Sequence, residues 1–233
     1  MLIRIIIEIL FTAAFVTGLV IMQHSRKLQK KQLRNYVKGL AVAGGSVVLF
    51  ALLCYSCRHE VFRVDMPEGP LCWSDVRPAD AKLCVPAAYT DANGAILGQY
   101  KTGGKTHNSP HPGTGTISLK GSMFYVDYKW LSDQGFQQHT IVLDSVPKKF
   151  KDTRYKVRRA LCKNGDKVFL LQSHFPMNLS AFARQCAKYA TNAVNLDMGH
   201  CGYGYYKYRN ITVPLAGWAK INEDQQTNWL YVE

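Results

Sequence analysis

Two apolar stretches flanking a basic run constrain this chain before anything else does. Residues 5–22 carry a single charge, Glu8, and residues 39–57 carry none. Each approaches the ~20 residues an α-helix needs to cross a bilayer's hydrocarbon core. A cleaved signal peptide is the alternative for the first. It fits less well, because no small-residue cleavage site precedes the basic run and a second apolar segment follows at once. Between the two stand Arg26, Lys27, Lys30, Lys31, Arg34 and Lys38 with no acid. Cations flanked by membrane segments mark the cytoplasmic side. The expectation is a transmembrane helical hairpin over residues 1–58, with helices at about 5–22 and 39–57, a cytoplasmic loop and both termini outside. Of the formal net charge of +13, most sits in these residues, which hold eight Lys/Arg and one acid. The basicity is then largely a membrane address, and a nucleic-acid partner is not expected.

An outward-facing remainder permits disulfides. Cys72 and Cys84 are spaced like a local loop closure, while Cys162, Cys186 and Cys201 fall in three separate elements. No Cys/His set beyond residue 58 has zinc spacing, so neither metal nor cofactor is expected.

Residues 59–82, with Pro67, Gly69, Pro70 and Pro78, read as a lead-in segment to a domain over 83–233. Residues 83–89 (LCVPAAY) read as a buried strand, and 90–98 as a turn and second strand around Asn93-Gly94. Residues 101–115 lack periodicity and read as a long loop. Two short strands follow around Lys120-Gly121, then another over 139–145, with Gln137, Gln138 and His139 placed to line a cleft. A basic stretch over 148–159 leads into strand, turn and strand over 158–173. The helix predicted over 177–192 puts Leu179, Phe182, Ala183, Cys186, Ala187 and Ala190 on one face, with Asn178 or Ser180 as its cap. A strand, AVNLD, follows at 193–197. The fold class is α+β: a mostly antiparallel mixed sheet with few helices, preceded by the hairpin.

That strand runs directly into Met198, Gly199, His200, Cys201 and Gly202. A carboxylate among glycines suggests backbone packed closely around a ligand, with Tyr203, Tyr205, Tyr206 and Tyr208 following at once.

The order RRALCKNGDKVFLLQS…LSAFARQCAKYATNAVNLDMG resembles the C-terminal half of the phosphodiester glycosidase family, which includes many bacterial proteins. Arg158 occupies the Arg of the family's Arg-Thr-Ala strand, and Asn195, Leu196 and Asp197 match its Asn-Leu-Asp strand end. CVPAAYTDANGAILG resembles an earlier family segment, in which Tyr89 and Gly98 match. The departures are Pro86 for an asparagine, Arg159 for the threonine, Met198 for the first glycine after the aspartate, and His200 and Cys201 where the family tends to have Gly and Ser.

The resemblance implies a hydrolase that cleaves between a sugar's anomeric carbon and a phosphodiester oxygen. Asp197 would serve the positively charged anomeric centre and Arg158 the phosphate. Asn195, Gly199, His200, Arg159 and Tyr89 would bind substrate. The expected partners are a glycosyl phosphate or envelope glycan and the lipid bilayer. The expected location is the cell membrane, as in a bacterial inner membrane, with the domain periplasmic or extracellular. The alternative is an inactive member of the fold that binds envelope glycans or a partner, with Met198 and His200 marking lost activity.

Overall fold

The computed structural model describes residues 61–127, 129–198, 203–209, 211–215 and 226–233, together with residues 12, 15–17, 19, 20, 42–50 and 52. The chain divides into two compact units, Met1–Cys57 and Arg58–Glu233. In the first, residues 42–50 are helical, and Val42, Val47, Val48 and Leu49 are exposed. Among the described residues no helix is long and apolar enough to cross a membrane. Most of the two expected spans lies outside the described residues.

The second unit holds sixteen strands among its described residues, numbered here in chain order. One sheet has the order β1 (Val61–Asp65), β12 (Lys167–Ser173), β11 (Arg159–Asn164), β13 (Asn192–Leu196), β9 (Thr140–Leu143) and β10 (Val146–Pro147). The second runs β15 (Ile211–Pro214), β14 (Tyr205–Tyr208), β3 (Leu83–Pro86), β16 (Trp229–Val232) and β2 (Leu71–Ser74). The third runs β5 (Lys105–His107), β4 (Tyr100–Thr102), β8 (Gly135–Gln138), β6 (Gly115–Lys120) and β7 (Met123–Asp127). All their described pairings are antiparallel. With the helix α1 (Leu179–Cys186), this is the expected mostly antiparallel fold with few helices.

Period-two alternation assigns each strand face to a core. In β11, Leu161 points into an apolar cluster shared with Leu83, Val85, Ile117, Phe136 and Leu230, drawn from all three sheets. Its neighbours Ala160 and Cys162 point the other way, into a second cluster with Phe182 and Cys186 of α1. Both faces of β11 are therefore covered. The side chain of Asn178 caps α1, accepting from the Ala181 N–H at 2.8 Å. Ser180, the other candidate cap, bonds instead to the backbone of Phe150 through both its N–H and its carbonyl. The helix ends earlier than its periodicity predicts, because Thr191 is drawn into the sheet by its N–H bond to Lys163 O at 2.9 Å.

Several expectations change. The lead-in segment supplies β1 and β2, one in each of two sheets. The expected long loop contains the hairpin β4–β5, closed by Gly103 and Gly104 at φ +54° and +79°, the paired positive values of a two-residue hairpin turn. The expected second strand over 90–98 shrinks to one bridge, Thr90 to Ile96. Strand β8 was not foreseen, since its Gly-Phe-Gln-Gln sequence lacks apolar alternation. Cys72 and Cys84 are free thiols on β2 and β3, both opposite Tyr231 of the intervening β16. Two strand spacings, ~9.6 Å, exceed the ~7 Å limit for a disulfide, so the expected closure does not form.

Candidate active site

Strands β3 and β13 end side by side, joined by the Asp197 N–H donating to Ala87 O at 3.0 Å. The chain beyond each strand end borders a cleft of about 900 Å³. Tyr89 enters from the β3 side, Asn195 and Asp197 from β13, His139 from the start of β9, and Asp152, Arg154 and Arg158 from the segment preceding β11. Met198 lines the same cleft.

Arg158 and Asp197 are 5 % and 7 % exposed, so both charges are buried at the inner part of this cleft. Arg158 is held from several directions. Its Nε donates to Met177 O at 3.3 Å, and its Nη2 to Arg154 O at 2.9 Å and Asp152 Oδ2 at 3.2 Å. The other oxygen of Asp152 accepts from Arg154 Nε at 2.8 Å. The hydrogen bond from the Arg154 guanidinium, with smaller help from Arg158, holds the Asp152 carboxyl well below the usual range.

Tyr89 stands where these charges meet. Burial pushes its phenol up to about 12; the charge of Arg158 opposes the rise, and those of Asp197 and Asp152 reinforce it. The hydroxyl is thus un-ionised at working pH and accepts a hydrogen bond from Asn195 Nδ2, leaving its own proton to donate. Asn195 Nδ2 also donates to Leu196 O at 3.0 Å, while Oδ1 is buried with no partner among the described residues.

His139 packs edge-on against Tyr89 and Phe150, at centroid distances of 5.7 and 6.0 Å. Its Nδ1 lies 3.2 Å from Gly113 O. A carbonyl only accepts, so Nδ1 carries the proton and Nε2 keeps a lone pair. Burial lowers the imidazole's pKa, against the pull of the Gly113 carbonyl, and favours the neutral ring.

The sequence suggests that one of Arg158 and Arg159 is solvated. Neither is. Arg159 is 0 % exposed and points between the first and second sheets, with Nε on Gln172 Oε1 at 2.9 Å and Nη2 on Leu215 O. Burial pushes its pKa down to about 9, opposed by Asp197 and then Cys84, so it remains a cation at neutral pH. It does not line the cleft. Tyr89, Asn195, Arg158 and Asp197 do come together there. Gly199 and His200 lie outside the described residues. Tyr203 and Tyr205 pack around Arg77 on the second sheet, Tyr206 packs on the shared core and Tyr208 is exposed. Among the described residues none of these tyrosines lines the cleft.

Asp152 and Arg154 were not singled out by the sequence reading. The available signal was one acid inside an otherwise basic run, the pattern of a buried counter-ion.

No family model matches this chain, and no curated protein does. Among solved structures, the chain is similar to the catalytic domain of zebrafish N-acetylglucosamine-1-phosphodiester alpha-N-acetylglucosaminidase, solved auto-inhibited by its pro-peptide. The likeness has a TM-score of 0.50 at 12 % identity, covering 75 % of this chain and 82 % of that one. The two share a fold at a distance. The strand–turn–strand–helix–strand order that suggested the resemblance is the run from β11 to β13.

Proposed function

We propose that this protein hydrolyses a glycosyl phosphodiester, breaking the bond between a sugar's anomeric carbon and the phosphate oxygen. What carries the reading is the placement of Arg158 and Asp197 in one cleft, with the Tyr89–Asn195 pair beside them.

In this reading the Asp197 carboxylate stabilises positive charge developing at the anomeric carbon or orients the attacking water. Water's oxygen bonds to that carbon and gives up a proton to the Asp197 carboxylate, which passes it to solvent, and the phosphate departs with the bridging oxygen and its electron pair. Arg158 receives the departing charge. Its guanidinium is already fixed by Asp152 and two carbonyls, so little reorganisation is needed at the moment of reaction. A phosphate leaving group is weakly basic and needs less general-acid help than a sugar alcohol does. Asn195 and Tyr89 hold sugar hydroxyls. Arg159 acts from behind, its charge opposing that of Asp197 across the sheet. The hairpin over residues 1–58 anchors the enzyme in the cell membrane, with the catalytic unit outside the cytoplasm.

The test is to incubate the full chain in detergent with synthetic sugar 1-phosphate diesters and measure free sugar. Hydrolysis is expected to fall at least 100-fold in folded Asp197→Asn and Arg158→Ala variants, as for loss of one strong electrostatic contact. Unchanged activity in Asp197→Asn would refute the assignment. Binding without turnover across several sugars would make the protein a glycan-binding module instead.

A further inference from the structure

Resting on that reading, we propose that the cleft has a second anion position at Arg154, so that its substrate carries a further phosphate on the leaving side of the scissile phosphodiester. One carboxylate links the two positions. Asp152 accepts from Arg154 through Oδ1 at 2.8 Å and from Arg158 through Oδ2 at 3.2 Å. Two guanidiniums on one carboxylate leave a surplus positive charge, and the two cations differ in what remains available. The buried Arg158 spends Nε and Nη2 on protein groups. The Arg154 side chain is 73 % exposed, and among the described residues its side-chain hydrogen bonding runs through Nε. Its terminal nitrogens retain the paired N–H edge that suits phosphate oxygens.

The surrounding charges add to the effect. Lys151 and Lys156 line the same stretch of cleft. On the facing turn, Asp91 is occupied by its own loop: Oδ1 accepts from the Asn93 and Ala95 N–H groups at 2.8 and 2.9 Å. The remaining carboxylate among the described lining residues is Asp197, at the inner end. The cleft is therefore polarised along its depth: carboxylate with Asn195 and Tyr89, then buried Arg158, then exposed Arg154 with two lysines. A sugar seated at Asp197 with its phosphate on Arg158 directs its leaving group outward past Arg154. A neutral leaving group would leave that cationic edge unmatched. A phosphorylated one meets a charge-assisted pair worth about tenfold in affinity.

The test uses the full chain in detergent and two probes sharing one sugar 1-phosphate, a methyl diester and a glycerol diester whose glycerol carries a second phosphate. Calorimetry is expected to show the second probe binding about tenfold tighter at low salt. That advantage should shrink at high salt, vanish in Arg154→Gln and persist in Arg154→Lys. Equal binding of both probes, or an advantage that survives in a folded Arg154→Gln variant, would overturn the proposal. Turnover is read separately. A preference for the second probe without hydrolysis of either would sink the hydrolase reading and leave the second anion position standing. Hydrolysis of both with equal affinity would do the reverse. Displaying the same head on neutral vesicles tells a lipid-borne phosphate, bound tighter there, from a soluble one, bound equally.

Discussion

Asn195 donates from Nδ2 to the hydroxyl of Tyr89, a contact between residues 106 positions apart in the chain. It ties the end of β13 to the segment leaving β3, at the inner edge of the cleft. The pair is therefore both a fastening and a part of the site. Replacing Tyr89 with Phe removes the acceptor, while Asn195 keeps its bond to Leu196 O. The expected stability loss is small, about 1 kcal/mol by urea unfolding. If the proposed reading holds, hydrolysis should fall by tenfold or more, since the phenol's remaining proton is the one left to donate to a sugar hydroxyl. A large stability loss with intact activity per folded molecule would assign Tyr89 to packing alone.

Gly135 and Gly103 separate two reasons for a glycine. A Cβ at Gly135 would lie 2.0 Å from Ile117 O on the neighbouring strand, and that backbone atom cannot move without breaking the β6–β8 ladder. Gly135→Ala should cost about 3 kcal/mol or more. Gly103 meets nothing within 4 Å, and its φ of +54° sets only the left-handed penalty, so Gly103→Ala should cost about 1–2 kcal/mol. Paired urea melts would show it, and equal costs would contradict the β6–β8 register.

Cys72 and Cys84 should stay unlinked under oxidising conditions, since β16 stands between them. Peptide mapping of non-reduced protein after alkylation is the check. A Cys72–Cys84 crosslink in folded protein would require a different strand order.

His139 predicts the sign of one pH effect. Its folded pKa is below that of a free imidazole, mainly by burial, with His111 and Lys148 adding to the depression and the Gly113 carbonyl and Asp152 opposing it. The unfolded chain therefore binds more protons once pH falls toward about 6.5. Stability should decline from there until the folded pKa is passed, by at most ~1.4 kcal/mol per pH unit for this one proton. The penalty is absent above the unfolded pKa. His139→Gln should flatten that part of the profile, and an unchanged slope would show that another group sets it.

Much of this was legible in the sequence where local signals agreed with the final packing. The run from β11 through α1 to β13 announces itself through alternation, an Asn-Gly turn and a helical stripe; it carries Asn195, with Arg158 immediately before it and Asp197 immediately after. Three features did not show. One of Arg158 and Arg159 was expected to be solvated because a strand in isolation has a wet face, whereas β11 is covered on both sides by α1 and the second sheet. Asp152 was not singled out, because its partner Arg158 lies six residues on and becomes buried only in the fold. The four tyrosines were candidates to stack on a sugar, but pairing of β14 with β3 carries the segment into the second sheet, where Tyr203 and Tyr205 pack around Arg77, Tyr206 meets the core and Tyr208 is exposed. What sequence periodicity cannot register is which elements cover a strand from above and below.

Strand β16 lies between β2 and β3, and Asn228 just ahead of it bonds both the N–H and the carbonyl of Ala88, 140 residues earlier. An interior strand of the second sheet thus comes from residues that leave the ribosome well after its neighbours β2 and β3. Until they emerge, β2 and β3 have open edges and Ala88, beside the cleft, lacks its side-chain partner. That interval, with the sheet unfinished and the site not yet assembled, is the stage at which a holding chaperone, or a protease, would meet the chain.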